Sequence, residues 1–375
     1  MTTTPGYVWI DDDTALRDAA RSMVGAEHLG VDTEADSRHH YPEKTCLIQI
    51  VANGEVFIID PLADVDVTAL GAVFERPDIQ KLFHGADFDL RGLNRDWGFE
   101  LRAVYDTNIA ARFAGLERFG YAALIEDLLG HAIPKDQRLQ RSDWSKRPLS
   151  EPALEYAASD VIYLADVRDA INERLGALGR MAWVEEELLR LEQIRFTPLD
   201  PEVAYLSVRG SHLLGGRGLG VLKALWALRE LEARRLDRPT AFVISAEALI
   251  GISSAPETDL GEVKGLGPQT RRRLGGAIAK AVEVGLAGGP LKRLRTQTPF
   301  RPRLNAEQNA RFTKLKDWRI AEGEKLALDP SLLWPMRSLE RLARAPGEAD
   351  AEMESGEIRQ WQRAAYEGAI RAALA

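Results

Sequence analysis

Three short segments carry the residues with chemical potential. Asp32 and Glu34 stand in Val31-Asp32-Thr33-Glu34-Ala35-Asp36, Asp89 in His84-Gly85-Ala86-Asp87-Phe88-Asp89-Leu90, and Tyr156 with Asp160 in Tyr156-Ala157-Ala158-Ser159-Asp160. Four carboxylates of this kind can cage two divalent metal ions, machinery that splits a phosphodiester with water. Residues two apart on a strand share a face, so Asp32 and Glu34 project together. A cation relieves their repulsion, and hard oxygen donors select magnesium or manganese. An Asp-x-Glu by itself is also compatible with two solvent-facing acids on an edge strand. Tyr156 and Asp160, four apart in a helical pattern, lie one turn apart on one face. The phenol can orient an attacking water, but its ordinary pKa of about 10 makes it a poor general base, and a metal ion is the better activator.

Residues 7 to 180 alternate short apolar runs with helical patterns. Runs at 30–33, 45–51, 55–60 and 81–84 read as strands, with Asn53-Gly54 as a two-residue hairpin turn between the second and third. Helical stretches fall around 13–25, 86–96 and 151–175. This order predicts an α/β fold, a mixed sheet flanked by helices as in ribonuclease H-like proteins. Beyond Leu175 the chain reads as helical. Phe196-Thr197-Pro198-Leu199-Asp200-Pro201 reads as a linker, because its prolines cannot continue a helix. One helical unit is expected over 209–290 and another over 300–375, after a hinge at 299–302. A loose likeness between Leu222-Lys223-Ala224-Leu225-Trp226 and Phe312-Thr313-Lys314-Leu315-Lys316 suggests that the two are diverged repeats.

The ordered set Asp32-Thr33-Glu34, His84 with Asp89 five residues on, and Tyr156-x-x-x-Asp160 resembles the three exonuclease motifs of the DEDD superfamily, tyrosine-bearing branch. His40-Tyr41-Pro42, Leu47-Ile48-Gln49, Asp60-Pro61-Leu62, His84-Gly85-Ala86, Ser142-Asp143-Trp144 and Arg147-Pro148-Leu149 resemble the ribonuclease D family. That resemblance covers essentially the whole chain and implies a catalytic domain at 1–195, a linker at 196–208, and two all-α HRDC-type domains at 209–290 and 300–375. It implies a 3′-to-5′ exoribonuclease that releases nucleoside 5′-monophosphates, with single-stranded RNA 3′ ends, including transfer-RNA precursors, as substrates. Asp32, Glu34, Asp89 and Asp160 match the ligands of two Mg2+ or Mn2+ ions, and Tyr156 matches the water-orienting tyrosine. Gln140 and Arg147 fall where the family approaches the terminal nucleotide and a phosphate; Trp144 there reads equally as core. Asp36, Asp87 and Asp106 fall off the matching positions and suit capping or surface roles. The pair His39-His40 has no spaced partner for zinc and reads as a loop near the substrate.

The formal charge of -8 argues against a polyphosphate partner on average, yet 264–303 holds ten Lys or Arg against Glu283 alone. There, Gly265-Leu266-Gly267-Pro268 precedes a basic helix beginning near Gln269, whose free N–H groups can bind a phosphate while Arg271, Arg272 and Arg273 add attraction. Trp334 and Trp361 read as core, and the acidic stretch 348–357 as an exposed loop that repels RNA. Cys46, the only cysteine, excludes an intramolecular disulfide and a cysteine-based zinc cluster and reads as a buried thiol. No signal-peptide pattern or apolar run of about 18 residues is present, so a cytoplasmic protein without membrane partners is expected. Two other readings share the motifs: a DNA exonuclease, and a non-catalytic nucleic-acid-binding protein on the same scaffold. Charge repulsion in an unused cage disfavours the latter.

Overall fold

The computed structural model describes residues 6–133, 136–292 and 303–374; Arg293, Arg295 and Arg301 of the basic stretch and the hinge expected at 299–302 lie outside them. Among the described residues six strands form one mixed sheet: β1 (Tyr7–Ile10), β2 (His28–Ala35), β3 (Thr45–Ala52), β4 (Glu55–Ile59), β5 (Gln80–Phe83) and β6 (Val104–Asp106), in the order β1-β4-β3-β2-β5-β6. β3 and β4 are antiparallel, whereas β1 runs parallel to β4, β5 to β2, and β6 to β5. The hairpin turn is as the sequence suggests, with Asn53 and Gly54 both at positive φ, 52° and 80°. β1 and β6 carry no strand signal, because four and three residues are too short to display an alternation. The helix expected over 151–175 is two helices, Glu151–Ile162 and Leu164–Leu178, broken at Tyr163 (φ −99°, ψ 3°).

By compactness the chain forms two units, one of residues 1–34, 45–196 and 301–375, the other of 35–44 and 197–300. The helices after residue 305 therefore belong to the same compact unit as the sheet. Trp183 stacks on Trp361 with centroids 4.6 Å apart, and the Phe113 ring meets Trp361 edge-on at 5.6 Å. Arg180, almost fully buried, bridges the two parts by donating to the Phe113 carbonyl (2.9 Å) and the Leu326 carbonyl (2.6 Å). Glu186 accepts from the backbone N–H groups of Gln360 and Trp361, capping the first turn of the Gln360–Leu374 helix from another element. Each large side chain buried here contributes about 1.5–3 kcal/mol, and each aromatic pair about 0.5–1.5 kcal/mol beyond that. Trp334 and Trp361 are core residues, the Trp334 indole donating to Ser338 Oγ at 2.8 Å. The 348–357 segment departs from the expected loop. Ala349–Met353 is helical with Ala349 and Met353 buried, and Arg341 pairs with Glu352 and Glu357, so its acids are partly neutralised within the fold.

In the other unit, helices Gly216–Leu236 and Pro268–Ala287 pack backbone to backbone. A Cβ on Gly285 would lie 2.5 Å from Val221 Cα, so only glycine permits that approach. The expected linker is shorter than 196–208, because Pro201–Ala204 and Tyr205–Ser207 are helical turns and Tyr205 is buried. Residues 35–44 fold onto this unit: the Tyr41 hydroxyl bonds Glu230, the Tyr41 N–H donates to Asp237 (3.2 Å), and His40 Nδ1 lies 2.7 Å from Asp237.

The suspected repeat has a structural counterpart. Helices Gly216–Leu236, Thr240–Val243 and Ala246–Ser254 recur as Ala306–Leu326, Pro330–Leu333 and Met336–Arg344. From Gly216 to Ala306 and from Ser254 to Arg344 the offset is 90 residues, and the left-handed helix ends Asp237 and Ala327 keep the same offset. Among the described residues no helix is long and apolar enough to cross a membrane.

Candidate active site

The alternation of β2 sends Asp32 and Glu34 to one face, and a close helix approach brings Asp160 to them. At Gly30, a Cβ would lie 2.6 Å from Val51 Cγ1 and 2.9 Å from the Val161 carbonyl, so the end of the Glu151–Ile162 helix sits directly on β2. Any larger residue would push away the helix that carries Asp160. Carboxylate oxygens of Asp32, Glu34 and Asp160 consequently lie within 4.8 Å of one another. Asp89 arrives from the first turn of the Asp87–Trp97 helix, after a turn in which Gly85 takes φ 84°. Asp106 pins that turn by accepting from the N–H groups of Gly85 (2.9 Å) and Ala86 (2.8 Å) while capping the Thr107–Phe113 helix.

These residues line a cleft of about 560 Å³ together with Tyr156, Gln140, His84, Phe88 and Tyr121. Asp32 is pushed well above the ordinary carboxylate range, first by burial and then by the charges of Asp89, Asp160 and Glu34. Glu34 is raised likewise, by burial and then by Asp160 and Asp89. Burial lifts Asp89 and Asp160 to about 7 each, against opposing hydrogen bonds from Thr33 and Tyr156 respectively. Converging oxygen donors that resist ionising together fit a hard divalent cation. The Tyr156 hydroxyl is hydrogen-bonded to Asp160, and burial with the neighbouring carboxylates raises its pKa, so it stays protonated. Burial pushes His84 down to about 4, leaving a neutral ring against Tyr121 with centroids 5.3 Å apart.

Other residues of interest go elsewhere. Arg147 is committed to structure: its guanidinium grips Asp60 through two 2.6 Å bonds and donates to the carbonyls of Cys46, Trp144 and Lys146. A fork satisfied by a carboxylate and three carbonyls has little left for a phosphate, so the phosphate role expected for Arg147 is replaced by this clamp. Trp144 is core, and the Cys46 thiol is buried. Asp87 pairs with Arg91 at the surface, and Asp36 accepts from the Lys44 N–H. His40 is tied to Asp237 in the unit formed by 35–44 and 197–300, where Arg271, Arg272 and Arg273 occupy the first turns of the Pro268–Ala287 helix. Tyr121 was not legible as a site residue. It sits on the four-residue helix Tyr121–Leu124, at no spacing that relates it to the acids, and its hydroxyl accepts the Tyr163 N–H (3.2 Å) at the helix break.

A family model for the 3′-5′ exonuclease matches residues 7–176, and one for the HRDC domain matches residues 218–282. Ribonuclease D of Granulibacter bethesdensis is 32% identical over 346 residues, covering 90% of this chain and 84% of that protein. The chain belongs to the ribonuclease D family. Ribonuclease D of Xanthomonas oryzae pv. oryzae is 29% identical over 366 residues, 96% of this chain and 97% of its own. The crystal structure of Escherichia coli RNase D, described as an exoribonuclease involved in structured RNA processing, matches with a TM-score of 0.72 at 25% identity over 98% of each chain. The catalytic core of RRP6 from Trypanosoma brucei matches with a TM-score of 0.65 at 26% identity, over 77% of this chain and 82% of that one. The sheet with its acidic cleft is thus the 3′-5′ exonuclease domain of a ribonuclease D-type nuclease, and the helices at 218–282 are its HRDC domain.

Proposed function

We propose that the cleft binds two divalent cations, Mg2+ or Mn2+, and hydrolyses single-stranded RNA from the 3′ end to nucleoside 5′-monophosphates, with transfer-RNA precursors among its substrates in the cytoplasm. The observation that carries this reading is the convergence of Asp32, Glu34 and Asp160 within 4.8 Å, on the cleft that Asp89 also lines. Asp32, Glu34, Asp89 and Asp160 would hold the ions. Bound there, divalent cations lower the pKa of water and offset charge on the phosphate.

The chain's own residues then have distinct tasks. Tyr156, held protonated beside Asp160, offers a hydroxyl that orients the attacking water without taking its proton. Its presence supports membership of the tyrosine-bearing DEDD branch. Gln140, exposed on the cleft wall, can hydrogen-bond the terminal nucleotide. Neutral His84 adds no positive charge to compete with the cations. The 90-residue register supports a second HRDC-type module within 300–375, beside the first at 209–290. Arg271, Arg272 and Arg273 supply charge for phosphates in the first module.

The test is digestion of 5′-labelled single-stranded RNA and DNA with Mg2+ or Mn2+, with Asp32→Asn and chelator as controls. A descending ladder on RNA, absent in both controls, is the expected result. A preference for DNA would replace RNA as substrate, and binding without any ladder would leave a nucleic-acid-binding protein.

A further inference from the structure

β5 pairs with β2 only at His28, Leu29 and Gly30 and ends at Phe83. Beyond that point the edge of β2 has no strand beside it on this side, and the Thr33 N–H needs another acceptor. Asp89 provides it. Its Oδ1 accepts from the Thr33 N–H at 3.1 Å and from the Thr33 hydroxyl at 2.6 Å. The short O–H contact has the length of a charge-assisted bond to a carboxylate.

Two donors fixed to one strand and converging on one oxygen determine both the rotamer of Asp89 and which oxygen is turned away from β2. This matters because Asp89 is not among the three acids whose oxygens all lie within 4.8 Å of one another, yet its charge acts on Asp32 and Glu34, so the direction of its free oxygen bears on the whole cluster. Thr33 alternates out of the face that bears Asp32 and Glu34 and is only 9% exposed. A hydroxyl buried at such a position is tolerated when it has a partner, and a valine of the same shape would otherwise serve.

We infer that Thr33 is a positioning residue that locks the Asp89 carboxylate, so that Oδ2 would be the oxygen left to hold a cation. The inference rests on the metal-binding reading of the cleft. In this reading Thr33 acts through Asp89, to which both its N–H and its hydroxyl are bonded. Loss of a hydrogen-bond partner behind a metal ligand typically weakens metal affinity about 10–100-fold.

The test is calorimetric titration of Mn2+ alone into the full chain for the native protein, Thr33→Val, Thr33→Ser and Asp89→Asn, with unfolding midpoints measured in chelator. Thr33→Val is expected to bind Mn2+ at least about tenfold more weakly, while Thr33→Ser, which keeps the hydroxyl, stays within about twofold of native. If Thr33→Val fails to fold, Thr33→Ala takes its place with the same expectation. Native-like Mn2+ binding by the valine or alanine variant overturns the inference, as does a serine variant as weak as they are. If Asp89→Asn loses affinity while Thr33→Val does not, only the positioning role fails. If the native chain binds no Mn2+, the metal-binding reading falls and takes the inference with it.

Discussion

Two regions of the same compact unit, the acidic cleft and the joint around Trp361, are built on opposite principles. In the cleft, Asp32, Glu34, Asp89 and Asp160 crowd like charges into a recess that raises the pKa of every one. At the joint, Trp183, Trp361, Phe113 and Tyr366 pack in stacked and edge-on pairs, and Arg359 is matched by Glu187 at 2.7 Å. The cleft holds free energy that a ligand can release. The joint supplies stability that lets the cleft stay strained. Substitutions in the two places should therefore move activity and stability in different directions.

The largest effect is expected from Asp160→Asn. Removing a carboxylate of the cage should cost several kcal/mol of transition-state stabilisation, on the order of 10³-fold in rate. Its unfolding midpoint in chelator should rise, because one repelling charge is gone. A lower midpoint would show that the cleft is not the strained region. Trp361→Ala should do the reverse, losing about 3–5 kcal/mol of stability in denaturant titrations while divalent-cation affinity at low temperature stays native. A loss below about 1 kcal/mol would mean that the joint is dispensable.

Tyr156→Phe sharpens the contrast inside the cleft. Loss of the hydroxyl should slow cleavage on the order of 10²-fold with Mn2+ affinity unchanged, and unaltered single-turnover rates would remove the tyrosine from the chemistry. The smallest effect is a pH dependence. Asp89 and Asp160 have folded pKa values of about 7, above the unfolded aspartate value of about 3.9, so the folded chain binds more protons than the unfolded one between about pH 4 and 7. Without cations, their contribution to stability is present at low pH and lost as pH rises through that window. The midpoint gain on adding Mg2+ should accordingly be larger at pH 8 than at pH 5, and an equal gain at both would contradict the shifts.

Much of the cleft is legible because its parts are local. A two-residue alternation suffices to put Asp32 beside Glu34, and one helical turn suffices for Tyr156 and Asp160. Other parts are invisible for the converse reason. Arg147 reads as a phosphate ligand until Asp60, 87 residues away in the chain, is seen to occupy it. Tyr121 reaches the cleft from a four-residue helix with no pattern of its own. The two helical modules show both cases at once. Their shared 90-residue register is faintly readable in the Leu222 and Phe312 segments, but the packing of the later module depends on partners such as Trp183 and Arg180 at the Met181–Leu191 helix, remote from it in sequence.

What the sequence determined by itself was the set of acids and the tyrosine at their spacings, together with the order of sheet and helices, because periodicity and residue type act over a few neighbours. Tertiary structure alone decided that Gly30 lets the helix bearing Asp160 rest on β2, that Asp89 fills the place beyond the end of β5, and that the last helices join the catalytic unit. Those outcomes depend on close packing between segments far apart in the chain, where one Cβ or one buried partner determines which contact forms.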